Sequence, residues 1–234
     1  MDASELRRWT LMSEIRFPGS VAFFDKRARL VQSFQTSQFD KWALQPRRVD
    51  ITDGNRQFLA FTSHQNAGIA MEDPPTEGFF RDHLKRWLKV LLEELHIERL
   101  NRIGVRSLML LPQPDFEDMV DLLRTGMFRN SDTLWTNFGL EPVDFGFPLF
   151  FREGATRITL KLGPMRRSAV EREFASDAIR EKLPEACLFA DFDYFQDEPS
   201  FDRQRLLADI MRFVNTGCDK AIEMTSSLIA GIGG

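Results

Sequence analysis

Two arginines flank a glycine at Arg102, Gly104 and Arg106, and two aspartates stand one residue apart at Asp191 and Asp193. Residues spaced by two share one face of a β-strand. The run Arg102-Ile103-Gly104-Val105-Arg106 therefore puts both guanidinium groups on one face and Ile103, Val105 and Met109 on the other. Two guanidinium groups can grip a carboxylate or phosphate in bidentate fashion. A glycine between them lets a ligand or another strand come close. Asp191 and Asp193 also share a face of the strand expected around Cys187–Phe195. Paired carboxylates can hold a hard cation or do acid–base work. No third ligand, histidine or glycine turn stands beside them, so no metal site is expected. Burying either sign alone is costly. The favoured expectation is therefore that Arg102 or Arg106 lies within salt-bridge distance of Asp191 or Asp193, with ligand binding as the alternative.

A second basic group, Arg81, Lys85 and Lys89, recurs at steps of four and forms a stripe on one helix side. Like charges at that spacing disfavour each other slightly, which an anionic partner would relieve. Asp82, Glu93 and Glu94 dilute the stripe, so a solvated polar face is favoured. The three histidines, His64, His83 and His96, are scattered. The chain has no phosphate-binding glycine loop, nucleophile elbow or zinc-binding histidine pair, and no cofactor is expected. The segment Phe138–Phe151, dense in Phe and Pro, is read as a core strand entering at Phe147, or else as a greasy pocket or dimer surface.

These residues must be positioned by an alternating series of strands and helices. A first strand is expected over Ser13–Phe24, broken at Pro18 and Gly19, and then a helix over Arg27–Trp42. Strands follow at Arg48–Thr52, Gln57–Thr62 and Gly68–Glu72, with Asp53-Gly54-Asn55 as a turn. Thr76 can cap the clearest element, a helix to about Ile97. Phe80, Leu84, Trp87, Leu88, Leu91 and Leu95 recur there at steps of three and four. A strand at Asn101–Leu111 is expected to end at Pro112, and Asp115 to cap a helix over Phe116–Met127. A hairpin turns at Glu153-Gly154, between Val143–Arg152 and Thr156–Leu162. A polar stretch, Arg166–Lys182, leads to a strand at Ala186–Tyr194 and a helix from about Phe201 to Leu228. Gly217 weakens the middle of that helix by roughly 1 kcal/mol. The closing SSLIAGIGG reads as short and flexible.

The expected fold class is α+β: an antiparallel sheet with long helices packed on one face. The order of elements in 13–97 recurs in 101–228, which suggests two pseudo-repeated halves within a single domain spanning 1–234. No residue-level repeat accompanies it, and the short linker His96–Leu100 implies a shared core.

The net charge of −4 excludes a global basic field of the kind that attracts nucleic acid. With 22 Phe and one Tyr, most aromatic area belongs in a core or a dry interface. Cys187 and Cys218, both in apolar surroundings, read as reduced buried thiols. The sequence shows neither a signal peptide nor an apolar stretch approaching 18 residues, so the expectation is a cytoplasmic protein without membrane contact.

The chain resembles an uncharacterised, sporadically distributed family of bacterial proteins. In that family an arginine–apolar–glycine–apolar–arginine strand follows a long helix in mid-chain, matched by Arg102-Ile103-Gly104-Val105-Arg106. An opening strand of E-[VI]-R-F type is matched by Glu14-Ile15-Arg16-Phe17, and an aspartate-bearing strand before the final helix by Asp191-Phe192-Asp193. The family strand continues into Tyr and Asn, where Ser107 and Leu108 stand here. The resemblance implies a bacterial cytoplasmic protein from a mobile or defence-related locus; it carries no activity and no functional residues.

The functional expectation is a non-enzymatic interaction protein that binds a protein partner or itself. One alternative is a nucleic-acid or nucleotide-binding module, using Arg81, Lys85 and Lys89 together with Arg102 and Arg106. Another is a small-molecule enzyme using Asp191 and Asp193.

Overall fold

The computed structural model describes residues 3–36, 39–127, 143–144 and 146–233. In chain order the elements are β1 (Arg7–Arg16), α1 (Ala22–Phe34), β2 (Lys41–Leu44), β3 (Arg48–Thr52), β4 (Phe58–Ser63), β5 (Asn66–Glu72) and α2 (Glu77–Glu94). There follow β6 (Arg102–Gln113), α3 (Phe116–Met127), β7 (Phe147–Glu153), β8 (Thr156–Arg166), the single-turn helices α4 (Arg167–Val170) and α5 (Asp177–Arg180), β9 (Ala186–Asp197) and α6 (Leu206–Gly233). The nine strands form one sheet in the order β2-β3-β4-β5-β1-β6-β9-β8-β7, and every pairing is antiparallel. The protein is thus an α+β fold, as the patterning predicts. None of the described helices is long and apolar enough to cross a membrane.

Alternation along the strands splits the sheet into two unlike faces. Leu11, Ile15, Ile69, Ile103, Val105, Met109, Leu160 and Phe192 point to one side and share a core with α1, α2, α3 and α6. The four longer helices among the described residues therefore pack on the same face. Thr76 caps α2 as expected, its hydroxyl accepting from the Phe79 amide at 3.0 Å. Asp115 accepts from the Asp118 amide at the start of α3. Gly154 supplies the left-handed φ of +59° that the β7–β8 turn needs.

Among the described residues the other face is only half covered. The segment after β8, expected as a polar stretch, folds across one end of it. Val170, Phe174, Ile179 and Leu183 form a second core there with Trp9, Leu108, Leu110, Cys187 and Phe189. Glu72, at the end of β5, holds this lid by accepting from the Ala175 and Ser176 amides at 2.7 and 3.1 Å. Burial traces the lid's margin along β6. Residues alternate between buried and half-exposed from Arg102 to Arg106, then are buried without a break from Ser107 to Leu111.

Several boundaries differ from the expected ones. β1 starts at Arg7: Leu11 enters the helix-side core and, across an irregularity between Arg8 and Thr10, Trp9 enters the core under the lid. Helix α1 begins at Ala22 and stops at Phe34, since Gln35 is extended. Phe39 and Trp42, expected on that helix, lie beyond it, and Trp42 belongs to edge strand β2. β6 continues through Pro112, which a strand tolerates where one side is unpaired; the pairing with β1 ends at Leu110. The closing residues are not a loose tail. α6 runs to Gly233, with Ile229 and Ile232 buried. The part of Phe138–Phe151 before Val143, with Phe145, lies outside the described residues.

Both runs of strands fan out from the central β1–β6 pair. The order is β1-β5-β4-β3-β2 on one side and β6-β9-β8-β7 on the other. The two sides differ by a strand and no residue-level repeat accompanies them, so the pseudo-repeated halves are not confirmed. Cys187 and Cys218 are both buried free thiols; burial pushes them up to about 12 and about 11.

Candidate functional site

The sheet register brings the two arginines and two aspartates together on the open face, beside the lid. Arg106 of β6 stands opposite Asp193 of β9, diagonal to Asp191. Its guanidinium forks onto Asp191, with Nε and Nη2 donating to the two carboxylate oxygens at 2.8 and 3.1 Å. Glu173 of the lid approaches Arg106 to 3.8 Å, and Lys161 of β8 approaches Asp191 to 3.8 Å. The pairing favoured from the sequence is thus present. It is lopsided, because the Asp191 side chain is only 10% exposed and that of Arg106 is 43% exposed. Its Asp191 partner raises the Arg106 pKa, against the opposing effect of desolvation.

Arg102 behaves differently. Its guanidinium lies 4.0 Å from the centre of the Phe195 ring, a cation–π stack. Asp193 and Asp197 are both 3.8 Å away, too far to count as hydrogen bonds. Arg16 of β1, opposite Arg102 in register, pairs with Glu14 at 2.7 Å. Met12, Glu14, Arg16, Arg102, Gly104, Arg106 and Asp193 surround a hollow of about 200 Å³ floored by Gly104. On the other side of Arg106 lies a larger cleft of about 600 Å³, lined by Lys161, Met165, Glu173, Phe189 and Asp191 among others.

Desolvation raises the Asp193 pKa above its ordinary 3.8, helped by the charge of Asp191 and opposed by Arg102. A raised folded value means that this group's contribution to stability is complete below about pH 3.8. It is lost as pH rises through the folded value. At pH 7, Asp193→Asn is therefore expected to match or exceed the wild type in urea unfolding. The gain should be at most about 1 kcal/mol, because water screens a group this exposed, and it should disappear near pH 3. A loss of stability at pH 7 would contradict this.

The basic stripe of α2 lies on the helix side of the sheet, remote from this site. Arg81 bridges helices, pairing with Glu77 at 2.8 Å and with Asp219 of α6 at 3.0 Å. Arg8 reaches from β1 to the same Glu77 and donates to the Cys218 carbonyl at 2.5 Å. Lys85 and Lys89 are exposed and form no ion pair among the described residues. None of the histidines lines the hollow or the cleft. His83 Nδ1 donates to the Phe79 carbonyl at 2.8 Å amid the rings of Phe39, Phe58 and Phe79. His96 takes a left-handed φ of +52° just past α2. Among the described residues no group of three or more His, Cys, Asp or Glu side chains could hold a metal ion.

Sequence reasoning missed Glu14, Arg16, Lys161, Glu173 and Phe195 as members of the site. Glu14 and Arg16 had a readable signal, since they alternate with Ile15 in the same way as the two arginines alternate with Ile103 and Val105. Glu173 had none, because nothing local says that the lid folds back over β6.

The sequence matches no protein-family model. No curated protein is significantly similar to it either. The likeness to a bacterial family therefore rests on the quoted strand residues alone.

Proposed function

We propose that this protein is a non-enzymatic interaction protein, and that it captures an extended segment of a partner chain along the free edge of β7. The observation that carries this reading is the exposure of that edge. Among the described residues β7 pairs only with β8, and its Phe150 and Phe151 are 73% and 42% exposed. An apolar strand with unpaired backbone groups is a template for strand addition. Pro148 contributes no N–H, so only part of the edge can donate. A partner segment with apolar side chains beside Phe150 and Phe151 would bury most of this area. Two free, buried thiols suit a reducing compartment such as the cytoplasm.

Self-association has its own support. β2, at the opposite edge, exposes Trp42 and Leu44. Pairing β2 of one copy with β7 of the next would be a head-to-tail contact, which extends without closing. Clustering of Arg81, Lys85 and Lys89 on one surface with Arg102 and Arg106 would favour the nucleic-acid reading, but the sheet lies between these groups. A cleft holding Asp191 and Asp193 with a histidine within reach would favour the enzyme reading, but no histidine lines the hollow or the cleft beside them.

The test is light scattering on the purified protein, alone and after co-expression in its native host. A species above the 27.1 kDa monomer is expected, and Phe150→Pro and Phe151→Asp should each reduce it to monomer while leaving the circular dichroism unchanged. A strict monomer under both conditions, or an assembly indifferent to both substitutions, would overturn the proposal.

A further inference from the structure

Gly104 has no structural reason to be glycine. A Cβ built there would meet Phe195 Cβ at 3.5 Å, the Tyr194 carbonyl at 3.8 Å and Asp193 Oδ1 at 3.9 Å, all ordinary contacts. Its φ is not in the left-handed region. Two other glycines show what necessity looks like: a Cβ at Gly68 would sit 2.2 Å from the Ser13 carbonyl, and one at Gly217 2.8 Å from the Tyr194 ring. A glycine inside a central strand weakens that strand and leaves nothing to pack. What its absent side chain leaves open here is the floor of the hollow between Arg16, Arg102 and Arg106.

Arg102 is the group above that floor with donors to spare. Phe195 holds its guanidinium flat, and among the described residues it makes no hydrogen bond; its nearest carboxylates stand at 3.8 Å. Arg106 is committed to Asp191 and Arg16 to Glu14. A guanidinium held in place by stacking loses little freedom when it forks onto a planar anion.

We propose that the hollow over Gly104 binds the carboxylate group of a small ligand, with Arg102 as its bidentate partner. The partners already in place select the class. Arg106 is balanced by Asp191 and Arg16 by Glu14, while Arg102 faces Asp193 and Asp197 only at 3.8 Å, without a hydrogen bond. A planar, monovalent carboxylate matches the Arg102 fork, whereas a phosphate dianion would be repelled more strongly by Glu14 and Asp193. The volume of about 200 Å³ suits a small molecule and is below the usual range for large cofactors. The site is separate from the β7 edge, and its test does not depend on that reading.

The experiment is a titration of the full-length protein with propionate, a monovalent carboxylate, and, separately, with inorganic phosphate, followed by amide and arginine Nε NMR shifts. Saturable shifts with propionate are expected, with the Arg102 Nε resonance among those that move most. Arg102→Gln, a change at a half-exposed position that should not unfold the protein, should weaken propionate at least about tenfold, the cost of a charged hydrogen-bonded pair. Gly104→Val should do the same by filling the floor, with Gly104→Ala as the milder variant if valine compromises folding. Arg48→Gln, on the same face over Phe61, should leave binding unchanged. The proposal fails if propionate gives no saturable shift, or if its binding survives both Arg102→Gln and the Gly104 substitution. Tighter binding of phosphate than of propionate would overturn the carboxylate assignment.

Discussion

Arg106→Ala is expected to lower the stability of the protein by about 3 kcal/mol, while Asp191→Asn should cost less than about 1 kcal/mol. The two residues form one ion pair, so the inequality comes from where each is left when the other goes. The Asp191 side chain is 10% exposed, on a strand buried on both faces by core and lid. Without Arg106 its carboxylate keeps, among the described residues, only Lys161, at 3.8 Å and itself 64% exposed. An under-compensated charge in that position costs several-fold more than a surface ion pair contributes. Without the Asp191 charge, Arg106 is 43% exposed, can rehydrate, and still has Glu173 at 3.8 Å. Urea unfolding at pH 7 measures both. The double variant should be more stable than Arg106→Ala alone, because removing the stranded charge relieves most of its cost. Equal and small losses from the two single changes would mean that the pair is held in place by chance. Arg106 would then be as free as Arg102 to meet a ligand.

The parts of this structure legible in the sequence are those where one local rule acts alone. α2 has an apolar stripe, a threonine cap and no competing signal, and its start falls at the predicted cap. The Arg102–Arg106 and Asp191–Asp193 spacings fixed which side chains share a face, and charge balance then predicted that the faces would meet. That inference needed no knowledge of strand order, since unpaired burial is costly and the alternative was a ligand in place of one sign. The lid was illegible for the opposite reason. Its Val170, Phe174, Ile179 and Leu183 are apolar positions in a segment otherwise dominated by charge. Two single-turn helices are too short to show a periodic stripe. Helix α1 was misplaced because Phe34 and Phe39 continue an apolar rhythm that the backbone does not follow. Their rings instead stack 6.1 Å apart, with Phe39 beyond the end of the helix.

Gly217 shows the same limit most sharply, because the local rule there points the wrong way. Helix propensity alone says that replacing it should stabilise α6 by up to about 1 kcal/mol. The structure reverses the sign. A Cβ at Gly217 would lie 2.8 Å from Tyr194 Cδ1 and 3.2 Å from Val105 Cβ, so the helix touches β6 and β9 at this residue. Neither neighbour can yield easily. Tyr194 is 5% exposed and its ring packs on Phe213 at 4.7 Å, while Val105 is fully buried in the central strand. Gly217→Val is therefore expected to destabilise the protein by about 3 kcal/mol, the upper part of the range for overpacking. Gly217→Ala should lose less, since its smaller clash is partly offset by propensity. Gly231 is the control: it lies on the same helix with nothing within 4 Å of a built Cβ, so Gly231→Ala should be neutral or slightly stabilising. Thermal and urea unfolding of the three variants would measure the contrast. If Gly217→Val proved as stable as the wild type, α6 would not sit on the sheet at this residue. The placement of the whole helix layer over β6 and β9 would then be wrong.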